Sequence, residues 1–168
     1  MPLKSKAGSR QHVDGVADSE LRYLILAAQR EGSRALSRQL SSLQLTPAQS
    51  EILLVLQQYG PLTLKELGEL VVCEAGSPSR IVDVLVKRNL VMRTPDPRDR
   101  RAVVLELADE GARLVPQLRG IEKELDEQAA AIFTHEETLS IATALKKFLA
   151  PTESGPVLER RFGQLPPS

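Results

Sequence analysis

"RTPDPRDRRAVVLEL", residues Arg93 to Leu107, decides the fold. Its flanks are apolar and β-branched, while Pro95, Asp96, Pro97 and Asp99 in its middle are residues that turn a chain. "LVMRT" (90–94) and "AVVLEL" (102–107) are therefore expected to pair as an antiparallel hairpin with "PDPRDRR" (95–101) at its tip. Val103, Leu105 and Leu107 alternate along the second strand with residues of its other face, although Val104 blurs the pattern. Arg98, Arg100 and Arg101 make the tip basic in a chain of 168 residues with 22 basic and 22 acidic side chains and a formal net charge of zero. Over the wider stretch from 80 to 101, Arg80, Lys87, Arg88, Arg93, Arg98, Arg100 and Arg101 face only Asp83, Asp96 and Asp99. From 106 to 137 the balance reverses. Local field rather than total charge decides what a surface attracts, so the hairpin and the helix before it are the candidate anion-binding region.

Working upstream, "SPSRIVDVLVKRN" (77–89) reads as a helix with Ser77 as N-cap and Pro78 at its first position. Ile81, Val82 and Leu85 would point inward, and Asn89 would take the left-handed conformation that ends it. "TLKE" at 63–66 is a capping box, in which a threonine hydroxyl and an acid three residues on satisfy each other's backbone amides. It opens a short helix expected to bury Leu64, Leu67, Leu70 and Val71. "TPAQ" at 46–49 is a second box and starts a helix that buries Ile52, Leu53 and Leu56 and stops at Gly60 and Pro61. The centre thus reads helix, tight turn, helix, hairpin. A long first helix from Asp18 or Ser19 precedes it. Downstream, a fifth helix kinked at Pro116 and a sixth opened by "THEE" (134–137) run to Pro151. Residues 1–17 read as a mobile basic arm, and 151–168 as a tail with too few apolar residues to fold independently.

Composition excludes several classes. Apolar residues are 42% and charged residues 26% of the chain, ordinary globular usage. No apolar run reaches the ~18 residues of a membrane span, and the charged N-terminus lacks a signal peptide's apolar stretch, so a cytoplasmic location is expected. Cys73 is the single cysteine, and it reads as a buried structural thiol more readily than as a redox sensor. His12 and His135 have no ligand-spaced partners, so neither a metal nor another cofactor is expected, and His135 is read simply as a first-turn residue. No phosphate loop, nucleophile elbow or metal cluster suggests an enzyme. Glu136 and Glu137 are explained by the positive end of a helix dipole.

A helix-turn-helix followed by a hairpin with a basic tip has a physical purpose. A helix fits the DNA major groove of about 12 Å, and an arginine at a ribbon's tip fits the minor groove of about 6 Å. The stretches "LTPAQSEILLVLQQYGPLTLKELGELV" and "SRIVDVLVKRNLVMRTPDPRDRRAVVLELADEG" resemble the winged helix-turn-helix core of the MarR family of bacterial transcriptional regulators. "LVKRNLVMRTPDPRDRR" and the spacing of Asp99 and Arg101 to Leu107 and Gly111 carry it most specifically, and it covers roughly residues 20 to 150.

The resemblance implies a mainly α fold with a small β-hairpin, a winged helix-turn-helix with N- and C-terminal dimerisation helices. Residues 46–108 would be the DNA-binding domain, and 18–45 with 109–150 the dimerisation region. Ser77, Ser79, Arg80 and Lys87 would meet DNA from the recognition helix, and Arg98, Arg100 and Arg101 from the wing, with Asp99 holding the wing loop through Arg101. It further implies a homodimer on a palindromic operator, acting as a repressor relieved by a small amphipathic or phenolic ligand. Long apolar helices at both ends of the chain point to self-association independently. Pro78, Ser50 and Ala108 depart from the residues usual in the family, and Asp109 is expected to cap the fifth helix in place of Ala108. Two alternatives stand beside this reading: a winged-helix protein-interaction adaptor with weakened DNA binding, which a distorted first turn at Pro78 would favour, and a sensor based on Cys73.

Overall fold

The computed structural model describes residues 18–72, 77–96, 99 and 102–163. The basic arm, Cys73, Arg98, Arg100 and Arg101 lie outside the described residues, as do 164–168. The chain divides into two compact units at Ala35 and Leu36. The first holds most of helix α1 (Asp18–Leu40), along which Leu21, Tyr23, Leu24 and Leu26 are exposed. The second holds the rest of the chain.

In the second unit the order is α2 (Pro47–Tyr59), β1 (Leu62–Thr63), α3 (Leu64–Gly68), α4 (Pro78–Lys87), β2 (Val91–Pro95), β3 (Val103–Leu107), α5 (Asp109–Ile132), α6 (His135–Leu149) and α7 (Ser154–Phe162). Helix α2 is the hub. Every residue from Ile52 to Leu56 is buried, more than the one-sided face expected, because α3, α4, α5 and β3 all pack around it. Its start follows the sequence: Thr46 Oγ1 accepts from Gln49 N–H at 3.3 Å, and Gln49 Oε1 accepts from Thr46 N–H at 3.0 Å. Gly60 ends it at φ 77, a conformation that a side chain resists.

The hairpin forms in register, Val91 opposite Leu107 and Pro95 opposite Val103. β3 is the middle strand of three, because the two-residue β1 pairs with it through Leu62 with Leu105 and Thr63 with Val104. That extra strand covers the second edge of β3 at its middle. Val104 and Leu105 are both buried while Val103 is exposed, because Val104 lies between Thr63 and Thr94 in the middle of the sheet whereas Val103 sits next to the hairpin tip. Leu64 is likewise exposed instead of buried, and α3 ends at Gly68, so Leu70 reaches the core from the segment beyond it.

One further expectation at a helix end is corrected. Ala108 remains the N-cap of α5 and offers no side-chain bond, so Asp109 is the first helical residue and supports the dipole with Glu110. Helix α5 is continuous through Pro116, whose missing N–H removes one bond of its ladder. After Pro151, α7 forms and packs against α6, with its Gly155 buried.

Candidate nucleic-acid interface

Pro78 occupies the first helical position of α4, where its missing N–H costs no hydrogen bond and its fixed φ suits the turn. The backbone carbonyl of Ser77 accepts from Arg80 N–H at 2.9 Å, so the first turn closes normally. Ser77 is the N-cap residue, but its hydroxyl makes no capping bond. It pairs with the Ser79 hydroxyl at 2.7 Å, leaving both serines' polarity at the helix entrance. Asn89 ends the helix at φ 55, as its side chain permits.

Ile81, Val82 and Leu85 are buried. The opposite face carries Arg80, Asp83, Val84 and Lys87, at positions that share one side of a helix. This face suits a duplex groove. Arg80 and Lys87 supply cations at its two ends, and Val84, 42% exposed between them, is an apolar group able to meet a thymine methyl. Sequence reasoning named Arg80 and Lys87 but missed Val84, although its spacing from both, four residues from Arg80 and three from Lys87, was available.

The hairpin is tied to this helix. Arg93 Nη2 on β2 donates to Asp83 Oδ1 on α4 at 2.6 Å, so the one acid on the exposed face of α4 is matched by a wing arginine. Arg88 is also used internally, donating to the backbone carbonyls of Gln44 at 2.7 Å and Leu43 at 3.3 Å. It locks the end of α4 to the turn before α2. Two of the seven basic residues between 80 and 101 therefore hold the scaffold. At the wing, Asp96 N–H donates to the Ala102 carbonyl and Ala102 N–H to the Asp99 carbonyl, both at 2.9 Å, closing the base of the tip. The tip arginines themselves, and the expected pair of Asp99 with Arg101, lie outside the described residues.

Among the described residues no cluster of His, Cys, Asp and Glu could hold a metal, and no helix is long and apolar enough to cross a membrane. A hollow of about 370 Å³ on α5 is lined by Arg119, Glu122, Lys123, Asp126, Glu127 and Ala130. It is a charged helix surface.

The MarR family model matches residues 45–103, which span α2 to the start of β3. The chain is 28% identical over 132 residues to the transcriptional repressor NicR of Pseudomonas putida, covering 79% of this chain and 84% of NicR. It is 29% identical over 127 residues to the multiple antibiotic resistance protein MarR of Escherichia coli, covering 75% of this chain and 88% of that protein. A crystal structure of a mutant E. coli MarR complexed with operator DNA superimposes with a TM-score of 0.69 at 29% identity, over 77% of this chain and 93% of that one. With the helix-turn-helix, the three-stranded sheet and these relatives in agreement, residues 45–103 match the MarR family, and the chain around them is similar to winged helix-turn-helix transcriptional regulators of that family.

Proposed function

We propose that the protein is a non-enzymatic cytoplasmic repressor that binds a palindromic operator as a homodimer. The observation that carries this reading is the exposed face of α4, with Arg80, Val84 and Lys87 in line and the wing fastened beside it through Arg93 and Asp83. Helix α4 enters the major groove, where Ser77 and Ser79 meet phosphate or base at its entrance. The tip arginines Arg98, Arg100 and Arg101 reach the adjacent minor groove. The exposed apolar residues of α1, and separately Leu139, Ile141, Leu145 and Phe148 of α6, are the surfaces a second copy covers. A dimer of this kind presents its two recognition helices about 34 Å apart, one turn of duplex.

Selection from a random duplex pool tests the proposal. An inverted-repeat consensus with half-sites about one helical turn apart is expected, bound by a dimer in light scattering. Binding should fall steeply with salt as counterions are released. Failure to enrich any sequence overturns it. Relief by a small amphipathic or phenolic molecule is part of the same proposal, and is checked by adding simple phenolic acids to the purified complex and measuring DNA release.

A further inference from the structure

Helix α7 is bound to the helix-turn-helix by two ion pairs that no local sequence pattern announces. Arg161 donates to Glu51 Oε1 on α2, and Arg160 to Glu69 Oε2 at the end of α3. The first pair is largely buried, its side chains 15% and 9% exposed. Glu51 is a node, because the same carboxylate oxygen accepts the Val72 backbone N–H at 2.8 Å. Val72 follows α3, and α3 and α2 both pack against α4. A charge this sheltered is costly unless paired, and its partner comes from the last described helix of the chain.

The other end of α7 is equally constrained. A side chain on Gly155 would place a Cβ 2.5 Å from the Ala150 carbonyl oxygen and 2.9 Å from that of Leu149, so the corner between α6 and α7 closes backbone on backbone. Thr152 reinforces it by donating from its hydroxyl to the Leu149 carbonyl at 2.7 Å. Helix α6 carries the apolar face assigned above to dimerisation.

We propose that α7 is an intramolecular clasp that links α6 to the helix-turn-helix, with Arg161 and Glu51 as positioning residues that hold the end of α3, through the Val72 amide, against α2 and so set the two helices on which the recognition helix packs. This rests on the DNA-binding reading. Arg161 would act without touching DNA: its guanidinium is turned into Glu51 and sheltered from solvent. Loss of the pair loosens α3 against α2, the two helices on which α4 packs, and the fraction competent to fit two grooves falls.

The test uses the full chain, with a duplex selected by the wild-type protein and an unrelated duplex of equal length. Arg161→Ala is expected to bind the selected duplex about tenfold more weakly, because apparent affinity scales with the competent fraction. Its affinity for the unrelated duplex stays unchanged, Arg161→Lys recovers most of the loss, and hydrogen exchange at the Val72 amide accelerates. Glu51→Gln keeps an acceptor for that amide while removing the charge, and gives a smaller loss on the selected duplex; it also serves if Arg161→Ala does not fold. Undiminished binding of the selected duplex by Arg161→Ala, or Glu51→Gln in its place, overturns the clasp. So does an equal loss on both duplexes, which makes Arg161 a phosphate contact. A wild-type chain that selects no duplex removes the DNA reading first, and the clasp with it.

Discussion

Replacing Gly111 by alanine should destabilise the winged domain by about 2 kcal/mol, although alanine is the better helix former. Gly111 lies in the first turn of α5, pressed against the corner between α4 and β2. A Cβ there would sit 2.0 Å from the Leu90 carbonyl oxygen and 3.0 Å from its carbon. Ordinary contact begins near 3.4 Å, so the two backbones must part by more than an ångström. That carbonyl also accepts the Ala108 N–H at 3.1 Å, the bond that seats the start of α5 on the sheet. Losing it costs about 1 kcal/mol, and forcing atoms into a packed corner costs ~1–3 kcal/mol. Against this stands a gain of about 1 kcal/mol from removing glycine from a helix. Gly120 in the same helix is the control, because a Cβ there meets nothing within 4 Å. Gly120→Ala should therefore stabilise by ~0.5–1 kcal/mol. Urea unfolding followed by circular dichroism, at one fixed protein concentration because association shifts apparent stability, measures both. With a slope of about 2 kcal/mol/M, the Gly111→Ala midpoint should drop by about 1 M. A midpoint at or above that of wild type would refute the reasoning, since the clash would then have been relieved at no cost.

Other outcomes are expected from the same geometry. Thr46→Ala removes the hydroxyl that caps α2 and should cost about 1 kcal/mol in the same urea assay. Arg80→Ala should weaken binding to all duplexes and lower the slope of log affinity against log salt by about one, measured by fluorescence anisotropy. Val84→Ala should erase any preference for thymine over deoxyuracil at the contacted step, since the two bases differ only in the methyl; a preference that survives in the variant places that contact elsewhere. Glu137 is held below the ordinary carboxylate range by the Thr134 backbone N–H first and the Thr134 hydroxyl second. Its support of α6 is therefore present at neutral pH and lost as pH falls below the ordinary glutamate range to the lowered value. Thr134→Val should shrink that acid-side loss of helicity, read by circular dichroism across pH.

The legible parts of this molecule are those whose causes lie within a few residues. The capping boxes at Thr46, Thr63 and Thr134 start α2, α3 and α6 where the sequence places them, because each reciprocal pair spans three residues. The hairpin was legible for a similar reason: turn residues separate two β-branched runs. Strand β1 was not, since its two residues pair with β3 across some forty positions of sequence and Thr63 is also a cap. Helix α7 was hidden more deeply, because its anchoring partners are 91 and 110 residues away. At the candidate site, a basic cluster could be seen but not sorted. Only the fold shows that Arg88 is spent on carbonyls near Gln44 and Arg93 on Asp83, while Arg80 and Lys87 stay on the outer face of α4.

The same start device is spelled two ways here, with an amide at Gln49 and a carboxylate at Glu137. Gln49 is 9% exposed beside the central core, whereas Glu137 sits in open solvent, and the difference follows from hydration. An ionised group at position 49 would have to shed most of its water to make the same bond to Thr46, and an amide avoids that penalty while remaining indifferent to acid. Between these two helices, the third letter after the threonine thus distinguishes the one that begins indoors from the one that begins at the waterline.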